Sequence, residues 1–179
     1  LGALVEGTYD VVVSATDLAG NVGIDSTSDE LEVDLTAPVV GVDSLVTNDS
    51  TPALTGTVDD SGATISVTVD GQTFAATNNQ DGTWLLANDA LSALSDGVYD
   101  VSVTATDVIG NVGSDGTTNE LVVDTVSPVV GVNALLTNDT TPELTGTVDD
   151  TIAIVVIVVE GQNVSAVNSG DGTWTVADG

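Results

Sequence analysis

The side chains of this 179-residue chain that could do chemistry are carboxylates. Two stand side by side at Asp59-Asp60, and the pair returns 90 residues later at Asp149-Asp150. Single acids accompany each pair: Asp34 and Asp107 the first, Asp124 the second, with the amide of Asn111 close behind Asp107. The chain holds 28 Asp and Glu and no Lys, Arg or His, a formal charge of -28. No acid can be paired with a cationic side chain, so mutual repulsion opposes a compact fold. Dissolved cations have to offset that charge, diffusely or at bound sites. Calcium suits such a surface, being a hard cation that takes six to eight oxygen ligands. Adjacent carboxylates repel each other, and a bridging cation turns that repulsion into a contact.

The same inventory excludes much. Without His or Cys there is no imidazole base, no thiolate nucleophile and no zinc site. Without Lys or Arg nothing neutralises phosphates, which argues against a nucleic-acid partner. An anionic membrane surface repels the chain. The longest apolar run, residues 152–159, is eight residues and reads as a strand, too short to span a bilayer. Asp60-Ser61-Gly62 matches the triplet of aspartic proteases, whose chemistry needs two carboxylates sharing a proton. The sister site, Asp150-Thr151-Ile152, lacks the glycine, so a turn is the better reading. Carboxylate pairs for glycoside hydrolysis would lie in repeated loops with no aromatic platform. Asn48-Asp49-Ser50, Asn138-Asp139-Thr140 and Asn163-Val164-Ser165 match the glycosylation sequon as short strings do by chance. No catalytic residue is assigned, and the chain does not read as an enzyme.

The elements that must position the acids repeat with them. Residues 47–60 return almost intact as residues 137–150, and about 50 of 89 pairs aligned at this offset are identical. A fixed long offset signals tandem structural units. Within one period, apolar and polar residues alternate in short runs, as in Tyr9, Val11, Val13 and Ala15 or Ala63, Ile65, Val67 and Val69. Period two is the signature of half-buried strands. Asp70-Gly71 and Asp81-Gly82 are turn signals between them. Thr36-Ala37-Pro38 and Ser127-Pro128 open new modules, since proline belongs at a strand start or edge. The complete module spans residues 37–126 with seven short strands. Residues 1–36 are the C-terminal part of a preceding module, and residues 127–179 the N-terminal part of the next. Leu1 corresponds to Leu91 and Gly179 to Asp89, so the sequence reads as a two-repeat window cut from a longer array. Seven strands in about 90 residues describe an immunoglobulin-like sandwich. Tyr9 and Tyr99 fall where a tyrosine corner lies, and Trp84 and Trp174 are expected in cores.

Several of these motifs recur together. They are Asp-x-x-x-Pro from Asp34 and Asp124, the twelve-residue string at 47–58, Asp81-Gly82-Thr83-Trp84, and Gly-x-Tyr-Asp-Val-x-Val-x-Ala-Thr-Asp-x-x-Gly-Asn from Gly7 and Gly97. In this combination the chain resembles the bacterial immunoglobulin-like repeats of giant secreted adhesins, including repeats-in-toxin and biofilm-associated adhesins. The resemblance covers nearly the whole chain. It implies an all-β, extended rod of tandem modules on the bacterial cell surface or secreted from the cell. It implies a spacer role, calcium near module junctions, and neighbouring modules of the same chain as partners.

Strands running alternately up and down gather Asp34, Asp59, Asp60, Asp107 and Asn111 at a module's entry end. Asp124, Asp149 and Asp150 take the same roles at the following junction. The opposite end carries Asn48, Asp49, Asp70, Asp89 and Asp96. No contiguous calcium-binding loop is present, so the fold must assemble any ligand set; the alternative is a solvated acidic loop without bound metal. Residues 152–159 break the pattern, because the outward Thr64, Ser66 and Thr68 become Ile154, Val156 and Val158. A strand apolar on both faces is covered on both or prone to aggregate, so either it packs against a neighbouring chain, as like chains in a filament would, or the assigned sequence is in error there. The expected function is a calcium-stiffened stalk. The alternative is an immunoglobulin-like module that binds carbohydrate or protein.

Overall fold

The computed structural model describes residues 1–179 and is built of strands without a helix. It divides into two compact units, Leu1–Thr125 and Val126–Gly179. The first opens with β1 (Gly7–Tyr9), β2 (Ser14–Thr16), β3 (Val22–Ile24) and β4 (Leu31–Val33). β1 pairs with β4 and β2 with β3, all antiparallel. The outer edges of both pairs are open.

Ten strands follow: β5 (Val40–Val42), β6 (Leu45–Thr47), β7 (Leu54–Val58), β8 (Thr64–Val69), β9 (Gln72–Asn78), β10 (Thr83–Leu86), β11 (Gly97–Tyr99), β12 (Val101–Thr106), β13 (Val112–Ser114) and β14 (Leu121–Val123). One face of the sandwich is β5-β7-β10. The other is β13-β12-β8-β9, with β11-β14-β6 beside it. β9 bridges the faces: its first residues pair with β8 and its last, Thr77 and Asn78, with β10. β14 runs parallel to β6, Leu121 opposite Leu45 and Val123 opposite Thr47.

The expected count of seven strands does not describe this module. The first strand, expected over residues 39–42, is β5, but β6 forms within residues 44–51, which read as a loop, and the sixth strand, expected over residues 98–106, is broken into β11 and β12 at Asp100. The stretch Leu18 to Gly23, rich in Gly and Asn, reads as a turn, yet its counterpart after Asn111 forms β13 against β12. Gly113 is required there because a Cβ would lie 1.7 Å from the carbonyl oxygen of Pro38. Elsewhere the alternation places residues as the period-two pattern dictates: β7 and β12 bury every second residue. Leu54, Val58, Ile65, Val67, Trp84, Val101, Val103, Leu121 and Val123 form one core.

Trp84 is fully buried and donates its Nε1–H to the Gly41 carbonyl at 2.9 Å. The strand opposite must be bare to admit the indole. A Cβ on Gly56 would lie 2.0 Å from the Gly41 oxygen and 2.6 Å from Trp84 Nε1. The repeated Thr-Gly-Thr of β7 is thus a steric requirement of the tryptophan. Tyr99 Oη donates to the Ser95 carbonyl and Tyr9 Oη to that of Val5, both at 2.7 Å, as tyrosine corners do.

The second unit holds β15 (Val130–Val132), β16 (Leu144–Val148), β17 (Val156–Val159), β18 (Gln162–Ser165), β19 (Val167–Asn168) and β20 (Thr173–Val176). β15-β16-β20-β19 form one sheet and β17-β18 a hairpin. Trp174 repeats the lock, donating to the Gly131 carbonyl at 3.0 Å across Gly146. Its core is small: Val148, Val155 and Trp174 are buried.

Candidate functional site

The acids expected at the entry end each begin with a structural task. Asp59 follows the last residue of β7, and its Oδ1 accepts the Val39 N–H at 2.7 Å while its own N–H donates to the Val39 carbonyl at 3.1 Å. This two-bond ring fastens the segment after Pro38 to the end of β7. Asp149 makes the same ring with Val129, at 2.7 and 3.2 Å. Asp60 Oδ1 accepts the Gly62 N–H at 2.7 Å, and Asp150 Oδ1 the Ile152 N–H at 2.9 Å, each closing a turn through the side chain. Asp34 Oδ1 accepts the Thr36 N–H at 2.9 Å.

Asp107 is the most heavily bonded. Its Oδ1 accepts the N–H groups of Ile109, Gly110 and Asn111 at 2.6–2.9 Å, and its Oδ2 accepts Asn111 Nδ2 at 2.8 Å. Burial pushes this carboxyl up, but the Asn111 side chain and the three N–H groups outweigh it and hold it below its ordinary value. Asn111 Nδ2 also donates to the Asp34 carbonyl at 3.1 Å. One amide thereby ties the linker to the loop between β12 and β13. The sister residue Asp17 makes the same turn with Ala19 and Asn21. The turn thus forms from its local residues alone.

These tasks leave capacity. Asp34, Asp59, Asp60 and Asp107 line one open pocket of about 340 Å³ with Thr36, Ala37 and Pro38. Asn111 adjoins it through Asp34. Asp34, Asp59 and Asp60 each commit only Oδ1 to a protein hydrogen bond, so three Oδ2 atoms are uncommitted. An all-oxygen donor set with no competing cationic side chain is chemically that of a hard cation. As the side chains stand, no three acids of the chain converge closely enough to share one ion. Asp124 lies just after β14, and its N–H donates to the Thr47 carbonyl at 2.9 Å. At the other end, Asp49 closes a turn with Thr51, Asp89 accepts the Thr51 hydroxyl, and Asp96 accepts the Thr125 N–H.

Glu120 escaped the sequence reading. It is 4% exposed, and its Oε2 accepts the Val101 N–H at 2.9 Å where β11 breaks into β12. Its other oxygen has no partner. Burial pushes the carboxyl up, yet hydrogen bonds, that of Val101 first, hold it below its ordinary value. Glu30 makes the same bond to Val11, at 3.0 Å. The available signal was the glutamate repeated at 30 and 120 directly before an apolar strand.

Residues 40–125 match the model of a bacterial Ig-like domain, and residues 1–76 that of a bacterial Ig-like domain of group 3. No curated protein sequence matches significantly. Among solved structures, the chain is similar to a tetra-tandem repeat in the extending region of a large adhesion protein, at 26% identity and a TM-score of 0.44. That match covers 98% of this chain and 49% of the other. It is also similar to a Ca2+-stabilized adhesin with which an Antarctic bacterium binds ice, at 22% identity and a TM-score of 0.43, covering 92% and 46%. A third is a 1.5-MDa bacterial ice-binding adhesin, at 23% identity and a TM-score of 0.36, covering 92% and 60%. The chain spans about half the length of the first two structures. Residues 1–125 are thus covered by two overlapping matches to bacterial Ig-like domains.

Proposed function

We propose that the chain is a spacer segment in the stalk of a secreted bacterial cell-surface adhesin, with calcium held at the acidic end of its modules. In this reading residues 1–36 end one module, 37–126 form a whole one and 127–179 begin a third. The observation that carries the metal is the single pocket shared by Asp34, Asp59, Asp60 and Asp107 in a chain without a cationic side chain. Three elements contribute to it: the linker, the turn after β7 and the loop after β12. A cation bound by all three fixes the linker against the module, and restricted bending is the mechanical gain. Asp107 is already ionised and oriented by Asn111, while the free Oδ2 atoms of Asp34, Asp59 and Asp60 supply further ligands. Asn111 orients Asp34 from behind. By the 90-residue repeat, Asp124, Asp149 and Asp150 hold the corresponding sequence positions.

Thermal melting with calcium and with chelator tests this, paired with small-angle scattering. Saturation at a hundred times Kd stabilises the folded state by about 2.7 kcal/mol per site, a rise of several degrees for a chain of this size. The double variant Asp59→Asn, Asp60→Asn keeps an oxygen acceptor for the Val39 and Gly62 N–H groups. It should melt no lower than the parent in chelator yet lose most of the calcium increment. An unchanged melting temperature and unchanged scattering on chelation would defeat the calcium assignment.

A further inference from the structure

Inside the complete module one polar atom is left over. Glu120 is 4% exposed, its Oε2 takes the Val101 N–H, and its Oε1 is buried without a partner. No other buried side-chain nitrogen or oxygen of the chain lacks one. An unpartnered buried carboxylate oxygen is costly, and in folded proteins an ordered water or ion commonly relieves such an atom. Glu120 closes the loop of residues 115–120, which carries the chain from β13 in one sheet to β14 in the other. Two reciprocal bonds tie that loop to the break between β11 and β12. Glu120 accepts the Val101 N–H, and Asp100 Oδ1 accepts the Asn119 N–H at 2.8 Å.

The groups beside the Glu120 carboxyl are themselves acceptors. The Thr117 hydroxyl lies between it and Asp115, and donates to Asp115 Oδ2. A hydroxyl has one proton to give, so whichever carboxylate receives it, the other is left without a donor. The Thr117 N–H also goes to Asp115 Oδ2, which leaves Asp115 Oδ1 uncommitted. The charge of Asp115 acts against that of Glu120, and the chain has no cationic side chain to neutralise either. The same residue types recur 90 positions earlier. Thr27 Oγ1 donates to Asp25 at 2.9 Å, Glu30 accepts the Val11 N–H, and Asp10 accepts the Asp29 N–H at 2.9 Å.

We propose that Asp115, Thr117 and Glu120 hold a calcium ion inside the module, at the crossover between its two sheets. Glu120 Oε1 supplies a buried ligand that no protein group claims, Asp115 Oδ1 a second, and the Thr117 oxygen a third. Water and backbone carbonyls fill the remaining positions, as a cation of six to eight oxygens allows. Asp115 is half-buried and Thr117 exposed, which gives the ion a way in from solvent. The ion removes the repulsion between two neighbouring carboxylates and fastens the crossover to the strand break beside it. This site shares no residue with the pocket of Asp34, Asp59, Asp60 and Asp107, and it acts within a module instead of at its end. With two carboxylates it belongs to the weaker class of calcium site, so it supplies the smaller part of any calcium-dependent stability.

The test uses the Asp59→Asn, Asp60→Asn background, so that the outcome does not depend on the entry-end carboxylates. Calcium chloride is titrated while backbone amides are followed by heteronuclear NMR, with sodium chloride at matched ionic strength as the control. The Val101 and Thr117 amides donate to Glu120 and Asp115. They should shift saturably with calcium, with a Kd of about 0.1–1 mM, the range of extracellular calcium modules, and stay in place with sodium. Adding Asp115→Asn, which keeps an acceptor for Thr117 and should melt with its background in chelator, should weaken that response at least tenfold. Glu120→Gln, which keeps the acceptor for Val101, should do the same. Equal shifts with sodium would reduce the effect to diffuse screening and overturn the proposal. So would amides that do not respond to calcium well above that range, or a response unchanged by Asp115→Asn.

Discussion

Replacing Gly56 by alanine adds one methyl group where the structure has no room for it. That Cβ would stand 2.0 Å from the Gly41 carbonyl oxygen, 2.6 Å from Trp84 Nε1 and 2.7 Å from Cε2. Two of these atoms form the hydrogen bond that closes the lock. Neither can yield alone, because the oxygen belongs to a paired strand and the indole is fully buried. Overpacking of this kind costs about 1–3 kcal/mol. Pulling the indole from its acceptor adds about 1–2 kcal/mol more. The gain from restricting the unfolded chain, about 0.4–1 kcal/mol, does not offset them. The net loss is about 2–4 kcal/mol, a large share of the 5–15 kcal/mol typical of a domain. For a module of about 90 residues that lowers Tm by roughly 10–30 °C. The assay is fluorescence-monitored melting in a Trp174→Phe background, which leaves Trp84 as the reporter of the first unit. Gly116→Ala is the control, since nothing lies within 4 Å of a Cβ there. If Gly56→Ala melts within about 2 °C of the parent, the steric account of the Thr-Gly-Thr motif is wrong.

Other outcomes follow from the buried and bonded polar groups. Glu120 and Asp107 are held below their ordinary values of 4.5 and 3.8 in the fold. The stability they contribute is therefore full above those values and drains away as pH falls through the depressed ones. The share of stability that Glu120 supplies should fall on acidification below about pH 4.5, so the difference in melting temperature between the parent and Glu120→Gln, which keeps an acceptor for the Val101 N–H, should change over that range. An identical profile for the variant would remove Glu120 from the account. Tyr99→Phe loses the hydrogen bond to Ser95 and should cost about 1 kcal/mol by chemical denaturation. No measurable loss would mean that the corner's hydroxyl is satisfied equally well by water.

The alternation and the 90-residue offset made the sandwich legible, because inward residues such as Ile65, Val67 and Val69 have to recur every second position. The strand breaks were not legible. At Asp100 the ladder is interrupted because a glutamate twenty residues away takes the Val101 N–H, and nothing in the local sequence announces that partner. β13 was hidden for a related reason: Gly113 reads as a turn residue, but it is bare to let Pro38 approach from another part of the module. At the site, the acids themselves were evident, and the shared pocket for Asp34, Asp59, Asp60 and Asp107 followed from strand direction. Their local duties were not evident, since each depends on where a backbone N–H happens to point. The unusual composition of residues 152–159 was visible at once.

The parallel pair of β6 and β14 has a mechanical consequence. β6 lies near the module's point of entry and β14 immediately before its exit, and both run the same way. Tension applied through the two ends drags them in opposite directions along their length. The bonds of that pair, with Leu45 N–H to the Glu120 carbonyl and Asp124 N–H to the Thr47 carbonyl at its margins, are then loaded together in shear. They cannot open one after another as a hairpin does when peeled. A module fastened in this way resists pulling with all of its terminal bonds at once, and gives way abruptly when it yields.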